Sequence, residues 1–232
     1  MHPAYLQESQ IHAIKMSQSV RLLAVYALKI PTHTQYSDGM KTALLVIDVQ
    51  DSFKALPRWQ KRSNPQFEEN LSHLILEFRA QGHEIIWITH QEFDSPDNPF
   101  HPEHPAYRLM DFVERKPGEV LFEKSTRNSF TSTGLQQYLT QKGIGHLVIT
   151  GIQTEQCCET TTRVAGDFGY RVSFVTEATQ TFPIKHWARD EHISTDEIIK
   201  ATEYHLAGRF ATIHTVDSLL GQLQTGKEPV LL

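Results

Sequence analysis

The chain has 232 residues, a length that suits one sizeable domain or one domain with an appendage. Its hydrophobic content of 39% and charged content of 21% are typical of a soluble globular protein. The net charge of −5 argues against a protein that binds nucleic acid through bulk positive charge, and no run of 18 apolar residues predicts a transmembrane helix. The two cysteines are adjacent in sequence, so they are poorly placed to bridge each other, and we expect a reducing, cytoplasmic compartment.

Residues 1–39 differ in pattern from the rest of the chain. A short apolar run at 22–28 follows Lys15 and Arg21, but no small-residue cleavage site follows the run, which disfavours a signal peptide. We interpret residues 1–39 as an N-terminal extension. It is either a helix that packs on a partner or a stretch upstream of a natural start at Met40. Residues 40–232 form the predicted domain.

From residue 42 onward, predicted strands and helices alternate along the chain. Residues 43–47 form a continuous apolar run within a predicted strand over 42–48, as expected of a parallel strand that is buried on both faces. Apolar residues at helical spacing predict a helix over 67–78, which Gly82 ends. The elements that follow are, in order, a strand at 85–88, a polar loop at 91–104, a strand at 120–122, a helix at 132–141 and a strand at 146–150.

The second half continues the alternation. A helix is predicted over 154–168, with Thr154 as its N-cap and Gly169 after its end. It is followed by a strand at 171–175, a helix at 194–206 capped by Ser194 or Thr195, a strand at 211–214 and a last helix at 216–223. This order predicts an α/β protein, a three-layer αβα Rossmann-like fold with a mostly parallel six-stranded sheet.

Three chemically useful side chains follow three different predicted strands. Asp48 ends the first strand, Lys124 follows the third, and Cys157 lies just after the fourth. Ligands of parallel α/β sheets bind at the carboxyl ends of the strands, so we expect these three side chains to meet at one edge. Each alone has an ordinary structural interpretation: a capping carboxylate, a surface charge and a small buried residue. Together they predict a catalytic Asp–Lys–Cys site.

The predicted position of Cys157 in the first turn of a helix suits a nucleophile. Unpaired backbone N–H groups and the positive end of the helix dipole favour a thiolate, so we expect a lowered pKa for Cys157. Asp48 is then the acid/base, and Lys124 supplies positive charge near the thiolate and the developing oxyanion. The neighbouring Cys158 is about 100° further round the helix and is expected to face the core.

Three sequence blocks then resemble the isochorismatase-like cysteine hydrolases, a superfamily that includes nicotinamidases, N-carbamoylsarcosine amidases and isochorismatases. The blocks lie at 44–53, which contains Asp48, at 123–130, which contains Lys124, and at 148–161, which contains Cys157. The resemblance covers roughly residues 42 to 220. It implies the Asp–Lys–Cys triad, a cis peptide bond between Ile152 and Gln153, and an oxyanion site formed by backbone N–H groups at Ile152, Gln153 and Cys157.

The predicted substrate contacts lie beside these blocks. Phe53 and Phe130 are expected to form aromatic walls of the pocket, with Gln91 or His90 as a polar contact, although each aromatic residue could equally pack in the core. The metal-binding motif of nicotinamidases, Asp-x-His-x-x-His after the second strand, is broken here. Asp94, His101 and His104 remain as candidate zinc ligands, but their Pro-rich spacing is unsuited to a pre-formed site, and we predict no metal and no cofactor.

The leading interpretation is a cysteine hydrolase that cleaves a small carboxamide, or a related carbonyl C–N bond, through a thioester intermediate. An isochorismatase-type vinyl ether hydrolase and a non-catalytic binding protein on the same fold stay open as alternatives. A dinucleotide-binding dehydrogenase is disfavoured because no G-x-G-x-x-G follows the first strand. The expected partners are a small-molecule substrate and further copies of the chain, in a dimer or tetramer, with no nucleic acid and no membrane.

The cations near the predicted site suggest the charge of the substrate. Arg127 is the clearest cation besides Lys124, and the loop before the third strand offers Arg115 and Lys116 as further candidates. A dianion such as isochorismate needs several cationic groups, so we expect an uncharged or weakly charged carboxamide.

Overall fold

The computed structural model describes residues 40–225 and confirms the predicted α/β architecture. The predicted N-terminal extension, residues 1–39, lies outside the described residues, as do residues 226–232. Within residues 40–225, every helix falls short of the length and hydrophobicity that a bilayer-spanning helix needs.

Six parallel strands form the central sheet of the described chain, in the spatial order β3-β2-β1-β4-β5-β8. Their bounds are β1 Lys41–Ile47, β2 Glu84–His90, β3 Val120–Lys124, β4 Ile144–Ile152, β5 Arg171–Gln180 and β8 Thr212–His214. The chain builds outward from β1 to β3, and then returns to place β4 on the other side of β1. The gap between β1 and β4 is therefore the topological switch point, where α/β sheets of this kind bind their ligands.

Helices cover both faces of this sheet. The five α-helices are α1 Phe67–Ala80, α2 Leu135–Lys142, α3 Glu159–Asp167, α4 Thr195–Leu206 and α5 Val216–Thr225. Apolar residues of α1 and α5 belong to one buried cluster, and those of α2, α3 and α4 belong to another. These two clusters are the two cores of a three-layer αβα fold.

The apolar run of β1 divides between the two cores because successive strand residues face opposite sides of a sheet. Leu44 and Val46 lie in the cluster with α1, whereas Ala43, Leu45 and Ile47 lie in the cluster with α2. All five are fully buried. This burial on both faces explains why the strand is a continuous apolar run.

Several short elements were not predicted from the sequence. Two 3-10 helices, Asp51–Phe53 and Pro57–Lys61, follow β1, and a small antiparallel hairpin joins β6 Ile184–Lys185 to β7 His192–Ile193. The predicted capping of α4 is confirmed at Ser194, whose side chain forms a capping box with Glu197.

Candidate active site

The first site residue, Asp48, leaves β1 at the switch point in an unusual backbone conformation. Its φ is +53°, in the left-handed region that non-glycine residues seldom adopt. Beside it, Ile47 of β1 is the register partner of Gly151 of β4, whose φ is +119°. A Cβ atom on Gly151 would lie 1.9 Å from the carbonyl oxygen of Ile47, so only glycine allows the strands to approach this closely. This approach brings the segment after β4 toward Asp48.

The structure brings Asp48, Lys124 and Cys157 together at this point. The Nζ atom of Lys124 lies 2.7 Å from Oδ2 of Asp48 and 3.4 Å from Sγ of Cys157. Asp48 and Lys124 are fully buried, and Cys157 is 5% exposed. The other carboxylate oxygen, Oδ1 of Asp48, is buried and accepts no hydrogen bond from the residues that the structure describes. The cluster therefore holds a buried ion pair, a thiol and a carboxylate oxygen that can accept a proton.

The turn that carries Cys157 differs in detail from the prediction. The Ile152–Gln153 peptide bond is cis, as the resemblance implies. Gln153, rather than Thr154, is the N-cap of a π-helical turn, Thr154–Cys158, that leads into α3. The predicted N-cap was wrong because the hydroxyl of Thr154 donates to the hydroxyl of Thr179 on β5, 2.9 Å away, instead of capping the helix.

The electrostatics of Cys157 also differ from the expectation. Burial raises the pKa of its thiol to about 12, the nearby Asp48 carboxylate adds to the rise, and Lys124 opposes it. The expected lowering of this pKa was therefore wrong, because burial of the thiol opposes the ionised form. Burial alone lowers the pKa of Lys124, but the Asp48 carboxylate and Cys157 outweigh it and leave that pKa raised. The resting cluster is thus a neutral thiol beside an ammonium–carboxylate pair.

A series of hydrogen-bonded polar side chains leads from Lys124 toward the surface. The Nζ atom of Lys124 lies 3.4 Å from Nδ1 of His90, and Nε2 of His90 lies 3.0 Å from Oε1 of Glu92 and 2.9 Å from Nη1 of Arg127. Burial and the neighbouring Lys124 lower the pKa of His90, so the ring is neutral at neutral pH. Gln50 holds the backbone of His90 from both sides, because its amide donates to the carbonyl and accepts from the N–H of His90.

A cavity of about 160 Å³ opens onto this cluster. Its wall contains Phe53, as predicted, together with residues that follow β2, β3 and β4. The described lining residues are Asp48, Phe53, Arg58, His90, Glu92, Phe100, Arg127, Gln153, Gln156 and Cys157. Arg58 and Phe100 were missed from the sequence, because Arg58 lies on a short 3-10 helix and Phe100 in a loop, where no periodicity indicates which way a side chain points.

Two predicted substrate contacts lie elsewhere. Phe130 packs against Phe168 and Tyr170, with ring centroids 5.3 and 5.9 Å apart, so it belongs to the core beside α2 and α3 rather than to the described wall. Gln91 is likewise outside the wall as described, and its backbone N–H donates to the carbonyl of Lys124. Of the two residues that the sequence offered as the polar contact, His90 is the one in the described wall of the cavity.

The candidate zinc ligands do not fit a metal centre. Asp94 binds the side chain of Asn98 and its neighbouring backbone, and Nδ1 atoms of His101 and His104 accept from backbone N–H groups two residues further on. Within residues 40–225, no group of three or more His, Cys, Asp or Glu side chains is placed to hold a metal ion. The loop therefore uses these side chains to fix its own turns.

Comparisons with known proteins identify sequence and structural relatives of this chain. A family model described as the isochorismatase domain matches residues 42–193. The isochorismatase family protein YrdC of Bacillus subtilis (strain 168) is 33% identical over 180 residues, which cover 78% of this chain and 95% of that protein. Nicotinamidase 3 of Arabidopsis thaliana is 37% identical over 203 residues, which cover 82% and 93%. A solved isochorismatase-family structure from Chromobacterium violaceum is 29% identical with a TM-score of 0.75, covering 84% of this chain and 100% of that one.

Proposed function

Because the chain belongs to the isochorismatase family of hydrolases, we propose that it hydrolyses a small carboxamide, or a related carbonyl C–N bond, through a thioester on Cys157. The observation that carries the proposal is the buried cluster in which Nζ of Lys124 lies 2.7 Å from Asp48 and 3.4 Å from Cys157. The name of the Arabidopsis relative, a nicotinamidase, favours an amide over a vinyl ether.

The raised pKa of Cys157 determines how the reaction begins. A thiol with a pKa of about 12 attacks only if a base removes its proton during the attack. Asp48 is suited to this role, because its Oδ1 is buried beside the cavity and accepts no hydrogen bond from the described residues. As the proton moves to Asp48, the sulfur forms a bond to the carbonyl carbon and the carbonyl π pair moves to the oxygen.

The developing oxyanion needs positive charge and N–H donors. Lys124 supplies the charge at close range. The proposed donors are the backbone N–H groups of Gln153 and Cys157, two residues that line the cavity; Ile152 precedes Gln153 across the cis peptide bond. Collapse of the tetrahedral intermediate re-forms the carbonyl and breaks the C–N bond. The proton held by Asp48 passes to the nitrogen, which leaves as ammonia or an amine.

Hydrolysis of the thioester regenerates the thiol. Asp48 takes a proton from water as the water oxygen bonds to the acyl carbon, and the C–S bond then breaks. The thiolate that leaves is protonated by Asp48, and the acid product departs. The cavity of about 160 Å³ lies below the range of drug-sized ligand sites, which favours a substrate of few atoms at the reacting end.

Paired cysteine variants test the proposal. Cys157→Ala is expected to abolish ammonia release from a panel of small amides, and Cys158→Ala is the matched control. Cys158 is fully buried, and its sulfur lies 3.7 Å from the carbonyl of Thr150, so it is expected to spare activity. Acid quenching followed by mass spectrometry is expected to show an acyl group on Cys157. Full activity in Cys157→Ala, or pyruvate release from isochorismate without ammonia from any amide, would overturn the proposal.

A further inference from the structure

Two arginines reach the wall of the cavity, and they differ in how their charge is balanced. Arg127 lies 2.9 Å from His90 and 3.8 Å from the carboxylate of Glu92. Arg58 has no carboxylate within ion-pair distance among the residues that the structure describes. Arg58 is therefore the cation at this site whose charge the described chain leaves unpaired.

The position of Arg58 is fixed by an aromatic stack. Its guanidinium carbon lies 5.2 Å from the ring centroid of Phe182, and Phe182 stacks on Phe53 at 5.9 Å. Phe53 in turn meets Phe100 edge to face at 4.9 Å. A guanidinium over an aromatic face keeps its hydrogen-bonding edge available to a ligand. The stack thus holds the guanidinium of Arg58 beside the cavity that this residue lines.

The surrounding carboxylates are already engaged by other donors. Glu92 faces His90 at 3.0 Å and the side chain of Asn98 at 2.8 Å. Glu155 accepts from Gln153 and from Thr181, at 3.0 and 2.6 Å. Arg58 is exposed as a residue, but partial burial lowers its pKa, and the charge of Glu155 opposes this effect.

Arg58 also lies where two chambers meet. It lines the inner cavity of about 160 Å³ and an outer one of about 460 Å³, together with Glu92 and Phe100. The other described residues of the outer chamber are Leu56, Pro57 and Asn98. A substrate that occupies both chambers therefore passes the three residues that line both of them, Arg58, Glu92 and Phe100.

We propose that Arg58 binds one carboxylate of the substrate, so that the enzyme acts on monoanionic amides, small molecules with a scissile carboxamide at one end and a single carboxylate at the other. The inference rests on the proposed function. A planar guanidinium matches a carboxylate in two parallel hydrogen bonds, which gives both strength and orientation. A second carboxylate is disfavoured because Glu92 and Glu155 flank the same region and repel it.

Isosteric pairs of probes test this proposal. Malonamic and succinamic acid each carry one carboxylate, and malonamide and succinamide replace that carboxylate with a neutral amide of the same shape. The wild-type enzyme is expected to release ammonia from the acids with a higher kcat/KM than from the diamides. Arg58→Gln is expected to reduce this preference by about 10- to 100-fold, the range for loss of hydrogen bonds to a charged group. The matched control, Arg115→Gln, removes a cation that binds the backbone carbonyl of Glu119 outside the cavity, and the preference is expected to persist.

Calorimetric titration of the same probes into Cys157→Ala separates this inference from the proposed function. Tighter binding of the acids that is lost in Arg58→Gln, without ammonia release by the wild type, supports the role of Arg58 and overturns the amidase proposal. Equal hydrolysis of acids and diamides, unchanged by Arg58→Gln, overturns the role of Arg58 and leaves the amidase proposal intact. Failure of every monoanionic probe to bind also overturns the inference.

Discussion

Replacing Lys124 with methionine tests how strongly the buried ion pair of the site contributes to stability. Methionine keeps most of the side-chain volume but removes the ammonium that lies 2.7 Å from Asp48, in a pair whose two residues are fully buried. At that separation, and with an effective dielectric constant of about 20, the attraction is about 6 kcal/mol. Desolvation offsets part of it, and removing one partner of a buried pair typically costs about 3–5 kcal/mol.

The expected result is a large loss of thermal stability. For a domain of this size, about 3–5 kcal/mol corresponds to a fall in Tm of roughly 6–20 °C, which circular dichroism melts can measure. The matched control is Lys142→Met, because Lys142 pairs with Glu84 at 2.9 Å but at the surface, where solvent screens the charge. Little change is expected there.

A double variant separates the charge effect from packing. Asp48→Asn combined with Lys124→Met leaves no unpaired buried charge, so it is expected to be more stable than Lys124→Met alone. Urea denaturation of the four proteins in this cycle gives the coupling directly. A free energy of unfolding for Lys124→Met within about 1 kcal/mol of the wild type would contradict a large contribution from the buried pair. So would a double variant that is no more stable than Lys124→Met.

Three further predictions follow from the structure. Because the pKa of Cys157 is about 12, iodoacetamide is expected to label it more slowly than a free thiol at pH 7, and faster as the pH rises. Labelling faster than a free thiol at pH 6 would contradict this. Asp48→Asn is expected to abolish turnover, because it removes the proposed base. Gly151→Ala places a methyl group 1.9 Å from a backbone oxygen, so it is expected to lower the free energy of unfolding by more than about 4 kcal/mol or to prevent folding. The control Gly143→Ala, at φ +67° and in open space, is expected to lower it by about 1–2 kcal/mol in urea unfolding. Equal losses in the two variants would contradict the close approach of β1 and β4. Burial lowers the pKa of His146 from 6.5 to about 3, so between these pH values only the unfolded chain takes up that proton. The free energy of unfolding is therefore expected to fall by up to about 1.4 kcal/mol per pH unit as the pH drops from 6.5 toward 3. His146→Gln is expected to flatten this slope, and an unchanged slope would contradict the assignment.

The sequence predicted the parts of the site that depend on topology. Asp48 and Cys157 follow strands β1 and β4, Lys124 ends β3, and parallel strands present their carboxyl ends at one edge. Their meeting therefore followed from the order of the elements. Their catalytic roles stay a prediction.

The features that depend on tertiary packing could not be predicted in the same way. The pKa of Cys157 depends on how deeply the thiol is buried, and this burial opposes the helix-terminal effect that the sequence suggested. Phe130 lies close to Lys124 in sequence, but its ring packs against Phe168 and Tyr170, which follow the end of α3. Arg58 lies on a 3-10 helix of five residues, too short for a pattern to indicate which way it faces.

The location of Lys124 on β3 affects how the enzyme loses activity. β3 is one of the two edge strands of the described six-stranded sheet, it pairs with β2 alone there, and Lys124 is its last residue. Edge segments open locally at a lower free energy than the whole domain unfolds. Such an opening withdraws the ammonium from Asp48 and Cys157 while the inner strands stay paired. Inactivation by heat or denaturant is therefore expected to precede loss of the helical circular dichroism signal, and a ligand that contacts the buried cluster is expected to protect activity by holding this strand in place.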